Sequence, residues 1–110
     1  MSDCLFCRIV RGEIPSRKVA EDEDVFAFED IAPRAPTHIL VVPKEHLDGI
    51  AAAHDAASLG KVFLAAARIA KDRGLEHYRL VVNNGEKAGQ SVFHLHVHVL
   101  AGRPFSWPPG

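Results

Sequence analysis

The chain has 110 residues, 47% of them hydrophobic, and its 13 basic and 14 acidic side chains leave a formal net charge of -1. That length fits one domain able to bury roughly two-thirds of its unfolded surface, and the interspersed charge gives no footprint for nucleic acid or an anionic membrane. No apolar run approaches the roughly 20 residues that span a bilayer, and Met1-Ser2-Asp3-Cys4 lacks the basic-then-apolar pattern of a signal peptide, so a single soluble cytoplasmic domain over residues 1–110 is expected.

Cys4 to Arg11 reads as a short helix, with Asp3 as N-cap, Gly12 as stop, and Leu5, Phe6, Ile9 and Val10 as its apolar face. Cys4 and Cys7 are the only cysteines. With no sign of secretion, they read as reduced thiols that are either half of a zinc site or two unrelated buried residues. An acidic turn, Glu21 to Asp24, precedes a strand through Val25, Phe26, Ala27 and Phe28; Asp30 to Pro36 is a proline-bearing loop. Thr37 to Val42 is β-branched and apolar, a strand buried on both faces and ended by Pro43. Asp55 to Arg73 is the clearest helix: Leu59, Val62, Phe63, Ala66, Ala67, Ile69 and Ala70 form its stripe, Lys61, Arg68 and Lys71 face away, and Gly74 stops it. Tyr78 to Asn83 is a further strand, followed by a polar Gly-rich loop to Ser91 that is longer than a usual hairpin turn. The proline-rich tail, Arg103 to Gly110, can be neither helix nor central strand. The expected architecture is an α+β meander, one long helix packed on a mostly antiparallel sheet.

The segment His94-Leu95-His96-Val97-His98-Val99-Leu100 alternates histidine with apolar residues. On a strand this puts three imidazoles on one face, spaced by about 7 Å. One histidine on an edge strand needs no explanation; three in strict alternation behind a Gly-rich loop point to chemistry. Two chemistries compete. In one, the histidines chelate a catalytic metal, which needs a third ligand and an open water site. In the other, one imidazole attacks phosphorus and forms an N–P bond labile enough for water to cleave. The loop supplies backbone N–H groups, the Gln90 amide and the Ser91 hydroxyl for charge on phosphate oxygens. Its single cation, Lys87, suits a singly charged diester or phosphoramidate better than a polyphosphate.

Asn83 to Arg103, NNGEKAGQSVFHLHVHVLAGR, resembles the signature of the histidine-triad (HIT) nucleotide-binding family, and more narrowly its Hint branch of purine nucleoside phosphoramidases. The resemblance extends over CLFCRIVRGEIPSRKVAEDEDVFAFEDIAPRAPTHILVVPKEH and the terminal WPPG. It implies an α+β HIT-like fold, a mostly antiparallel five-stranded sheet with one long and one short helix, paired into a ten-stranded sheet in a homodimer. His96 becomes the nucleophile, His98 contacts the phosphate, Ser91 lies near the leaving nitrogen, and His38 supports proton transfer. Asn83, Gly89 and Gln90 help hold the phosphate and ribose side, and Asp30 binds the ribose hydroxyls. Phe6, Ile9, Phe28 and Ile31 form the base pocket, although by residue type alone these four read as core packing. Trp107 of one subunit approaches the other's site.

The same resemblance assigns Cys4, Cys7, His46 and His94 to a structural zinc ion, a Cys₂His₂ set suited to a closed tetrahedral site, and requires no catalytic metal. His54 and His77 match nothing and read as surface residues. Ala88 and Ala101 stand where many Hint sequences have glycine. The implied activity is hydrolysis of adenosine or guanosine 5′-monophosphoramidates (AMP or GMP phosphoramidates) through a nucleotidyl-histidine. The rivals are a nucleotide-binding adaptor and a zinc hydrolase that uses the triad as ligands.

Overall fold

The computed structural model describes residues 4–110. Among them, helix α1 (Leu5–Val10) precedes strands β1 (Lys18–Glu21), β2 (Val25–Glu29) and β3 (Thr37–Pro43), then the long helix α2 (Ala56–Asp72), β4 (Tyr78–Val81) and β5 (Val97–Ala101). Single 3₁₀ turns occupy Ile50–Ala52 and Glu86–Ala88. The sheet order is β1-β2-β3-β5-β4, and every neighbouring pair is antiparallel. The expected meander therefore holds only through β3. The chain next crosses over through α2 to lay down β4 one strand away, and β5 returns to fill the gap. None of the described helices is long and apolar enough to cross a membrane.

Strand alternation divides the molecule. Val25 and Ala27 of β2, Ile39 and Val41 of β3, and Val97 and Val99 of β5 face α2, where Val62, Ala65, Ala66 and Ile69 complete a buried cluster. Phe26, Phe28, Leu40 and Val42 point to the opposite face, which is closed by Phe6 and Ile9 of α1. Both faces are covered, so β2 and β3 read as continuous apolar runs rather than alternating ones. His38 and His98 belong to the α1 face, away from the long helix, because they alternate with Ile39 and Val97.

α2 begins where the Asp55 carboxylate accepts the Ala57 and Ser58 N–H groups, and Gly74 follows its end at φ 71°. Ala67 departs from its expected place in the buried stripe and is exposed, since Ala65, Ala66, Ile69 and Ala70 already span the face in contact. α1 is capped by Cys4, whose Sγ accepts the Cys7 N–H at 3.4 Å; the expected cap, Asp3, lies outside the described residues. β1 supplies the fifth strand that the resemblance implies but that no local signal placed, and β4 ends at Val81 instead of Asn83. The histidine strand also starts later than its pattern suggests, at Val97 instead of His94. The preceding segment crosses the 43–47 stretch, where the Leu95 N–H donates to the Leu47 carbonyl at 2.7 Å.

Candidate active site and metal centre

A cavity of about 250 Å³ opens on the α1 face of the sheet. Phe6, Ile9, Phe28 and Leu40 make its apolar walls, and Asp30, Ser91, His96 and His98 line its polar part. Phe6 meets Phe28 edge-on at 5.3 Å between ring centroids and His96 at 5.1 Å. Ile31 also lines the cavity but is 99% exposed, so it stands at the rim and not in the wall.

Hydrogen bonds fix which nitrogen each histidine offers. The His94 carbonyl lies 2.7 Å from His96 Nδ1, so Nδ1 carries the proton and donates. The lone pair of His96 is therefore on Nε2. The Arg34 N–H donates to His38 Nδ1 at 2.9 Å, which puts the His38 proton on Nε2. That Nε2–H donates to His98 Nδ1 at 2.9 Å and lies 3.4 Å from an Asp30 carboxylate oxygen. His98 in turn must carry its proton on Nε2, a buried atom with no hydrogen-bond partner among the described residues. Burial, reinforced by the neighbouring His96 and His38, pushes the His98 pKa down to about 4, and burial also lowers that of His38. Both rings are neutral at pH 7.

These bonds also bear on a metal at the triad. Asp30, His38 and His98 are near enough together to share an ion. The atom that His38 would offer, Nε2, is protonated and already bonded to His98, which does not suit a ligand.

The loop before the histidines behaves differently from expectation. The Ala88, Gly89 and Gln90 N–H groups donate to carbonyls within the loop itself, not outward to a phosphate. Gln90 is buried, and its amide makes three hydrogen bonds: Oε1 accepts the Gly85 N–H at 2.7 Å, and Nε2 donates to the Asp48 carbonyl at 2.7 Å and the Val92 carbonyl at 3.2 Å. It braces the loop against the 48–49 segment. Gly89 turns the chain at φ 108°, with the Asn83 amide 3.4 Å from where a Cβ would sit. Asn83 thus packs under the turn. Ser91, exposed, is the loop residue that reaches the cavity. Trp107 is 81% exposed beneath Arg79, whose guanidinium lies 6.0 Å from its ring, and does not line its own chain's cavity.

Behind the cavity, Cys4, Cys7, His46 and His94 bring ligand atoms together within 4.8 Å. The His94 Nε2–H donates to the Pro43 carbonyl at 2.8 Å, and the His46 Nε2–H donates to Asp48 at 2.8 Å. Both rings therefore turn a bare Nδ1 inward, 3.2 Å apart, with Sγ atoms 3.3 Å from each. Two lone pairs aimed at each other repel, and either the cysteine S–H groups or a cation shared by all four ligand atoms can satisfy them. A tetrahedral Zn²⁺ with bonds of about 2.0–2.3 Å has ligand-to-ligand edges of about 3.3–3.8 Å, close to the spacing found. The Pro43 and Asp48 acceptors are the outer partners that fix a ligating tautomer. The donor set fits zinc. Sequence reasoning missed Asp48, Pro43 and Arg34, whose parts are played by a side chain and main-chain atoms with no signature of their own. Neither His54, paired with Glu45, nor the exposed His77 belongs to the cluster or lines the cavity.

Comparison with known proteins gives a consistent picture. A family model for the HIT domain matches residues 11–105. An HIT-like protein of Synechocystis is 50% identical over 98% of this chain and 97% of its own. A 14 kDa zinc-binding protein of Zea mays is 49% identical over 99% of this chain and 89% of its own. Among solved structures, an HIT family hydrolase from Legionella pneumophila superposes with a TM-score of 0.94 at 45% identity, covering 98% of this chain and 100% of that one. A histidine triad nucleotide-binding protein from Candida albicans gives 0.85 at 32% identity, over 96% of this chain and 83% of that one.

Proposed function

The chain belongs to the HIT domain family, and from that premise we propose that it hydrolyses purine nucleoside 5′-monophosphoramidates through a covalent nucleotidyl-His96 intermediate. The observation that carries this reading is the tautomer pair: a lone pair on His96 Nε2 beside an unpartnered N–H on His98, both rings on one cavity. His96 Nε2 attacks the α-phosphorus, and a pentavalent arrangement collapses with loss of the amine. The His98 Nε2–H donates to a non-bridging oxygen as charge develops. The departing nitrogen takes a proton from water through the Ser91 hydroxyl, while His98 keeps its Nε2 proton. Water then cleaves the N–P bond, releasing the nucleoside monophosphate and freeing His96. The apolar walls hold the purine, Asp30 holds the ribose hydroxyls, and Ile31 closes over the base edge. The absence of Lys and Arg from the cavity lining among the described residues suits a single phosphate.

Zn²⁺ at Cys4, Cys7, His46 and His94 is structural in this reading and takes no part in the reaction. A homodimer joined along the open edge of β4 would cover that edge together with the exposed Leu64 and Tyr78, and would carry Trp107 toward the partner's cavity. The test is single-turnover mixing with labelled adenosine 5′-phosphoramidate. An acid-labile adenylyl adduct is expected on wild type and absent from His96→Ala, with kcat lost by at least about 10³-fold and the fold retained. AMP binding without any adduct or turnover would make the protein an adaptor instead.

A further inference from the structure

α1 belongs to two sites at once. In six residues plus its cap, it presents Cys4 and Cys7 to the metal cluster and Phe6 and Ile9 to the cavity wall. Phe6 lies between the two cysteines in sequence, and its ring contacts both centres edge-on: His94 of the cluster at 6.0 Å and His96 of the cavity at 5.1 Å. A second connection runs through His94, whose ring faces the thiols while its carbonyl accepts the His96 Nδ1–H. A helix this short is not stable by itself. Its position depends on what it is fastened to, and the cysteine ligands fasten the end that carries Phe6.

We propose that the metal cluster and the nucleotide cavity are one coupled binding unit, in which zinc at the four ligands raises nucleotide affinity by fixing α1 and Phe6 against the sheet. This rests on the reading of the cavity as a nucleotide site. Phe6 and His94 are then positioning residues that act on the cavity from the cluster. Coupling of this kind is reciprocal, so nucleotide in the cavity must tighten zinc by the same factor.

The experiment measures AMP affinity by calorimetry in zinc-loaded and chelator-stripped protein, and zinc affinity by chelator competition with and without saturating AMP. A change of at least about fivefold is expected in both directions. Hydrogen exchange on the stripped protein should show residues 5–10 losing protection while β3 and β5 keep theirs. Equal AMP affinity in the two forms, or an α1 that remains protected, overturns the coupling. AMP binding in neither form overturns the nucleotide reading and the coupling with it. If stripping unfolds the whole chain, zinc-loaded Phe6→Leu decides. It keeps all four ligands, and AMP should then alter zinc affinity by less than twofold; an undiminished fivefold response overturns the proposal.

Discussion

A neutral imidazole can turn either nitrogen toward a substrate, and in this site neighbouring groups make the choice. His96 donates its Nδ1–H to a carbonyl, and His98 Nδ1 accepts the His38 Nε2–H, so adjacent rings present a lone pair and an N–H. The arrangement has a cost at low pH. In the unfolded chain His98 takes up a proton near its ordinary value of 6.5, but in the folded protein only near about 4. The unfolded state thus binds more protons between these limits, and stability falls as pH falls through that window. His38, also lowered by burial, acts in the same direction. Urea unfolding at pH 7.5, 6 and 5 is expected to show this decline, with a shallower slope in His98→Asn. Gln90 gives a different kind of expectation, since its amide braces the loop. Gln90→Ala removes three hydrogen bonds from a buried amide. It should cost about 1–3 kcal/mol in denaturant titration and lower kcat/KM by displacing Ser91.

At the scale of elements, legibility followed the strength of the local signal. α2 was readable because a 17-residue helix carries its own cap, stripe and stop. Asp55→Ala should therefore cost about 1 kcal/mol of stability, read as a lowered denaturant midpoint, without changing turnover, because the helix lies across the sheet from the cavity. β3 was readable as a β-branched run ended by proline. β1 was not: Lys-Val-Ala-Glu on a sheet edge has too little apolar content to stand out, and it exists because β2 offers it a ladder. The return of β5 between β3 and β4 is a long-range pairing that no local window contains. The alternation of the three histidines was plain in the sequence. The three-residue delay in the strand was not, because it depends on Leu47 and Pro43 as partners. Gln90 looks like a ligand-binding amide by type, and only its tertiary hydrogen bonds show that it braces the loop.

For the molecule as a whole, the sheet separates two tasks. One face packs α2 and supplies the larger buried cluster; the other carries the cavity and the cysteine–histidine cluster. Zinc bound to the folded state alone stabilises by mass action. With free zinc buffered above its Kd, each tenfold increase is expected to add about 1.4 kcal/mol to unfolding stability. The Cys4→Ala, Cys7→Ala double variant should melt lower and no longer respond to zinc. A wild-type melting temperature indifferent to buffered zinc would leave the four-residue cluster without its proposed role.

The groups that assign the tautomers of His38 and His96, the Arg34 N–H and the His94 carbonyl, are both main chain. Side chains come and go by single substitutions, but a peptide group is present whatever residue occupies the position. The orientation of the imidazoles is thus shielded from most mutational drift at its own supports, and the exposed Arg34 side chain takes no part in that hydrogen bond. Proline at position 34 is the substitution that deletes the donor outright. Everything else must act by moving the backbone, so inheritance of this chemistry is inheritance of the fold.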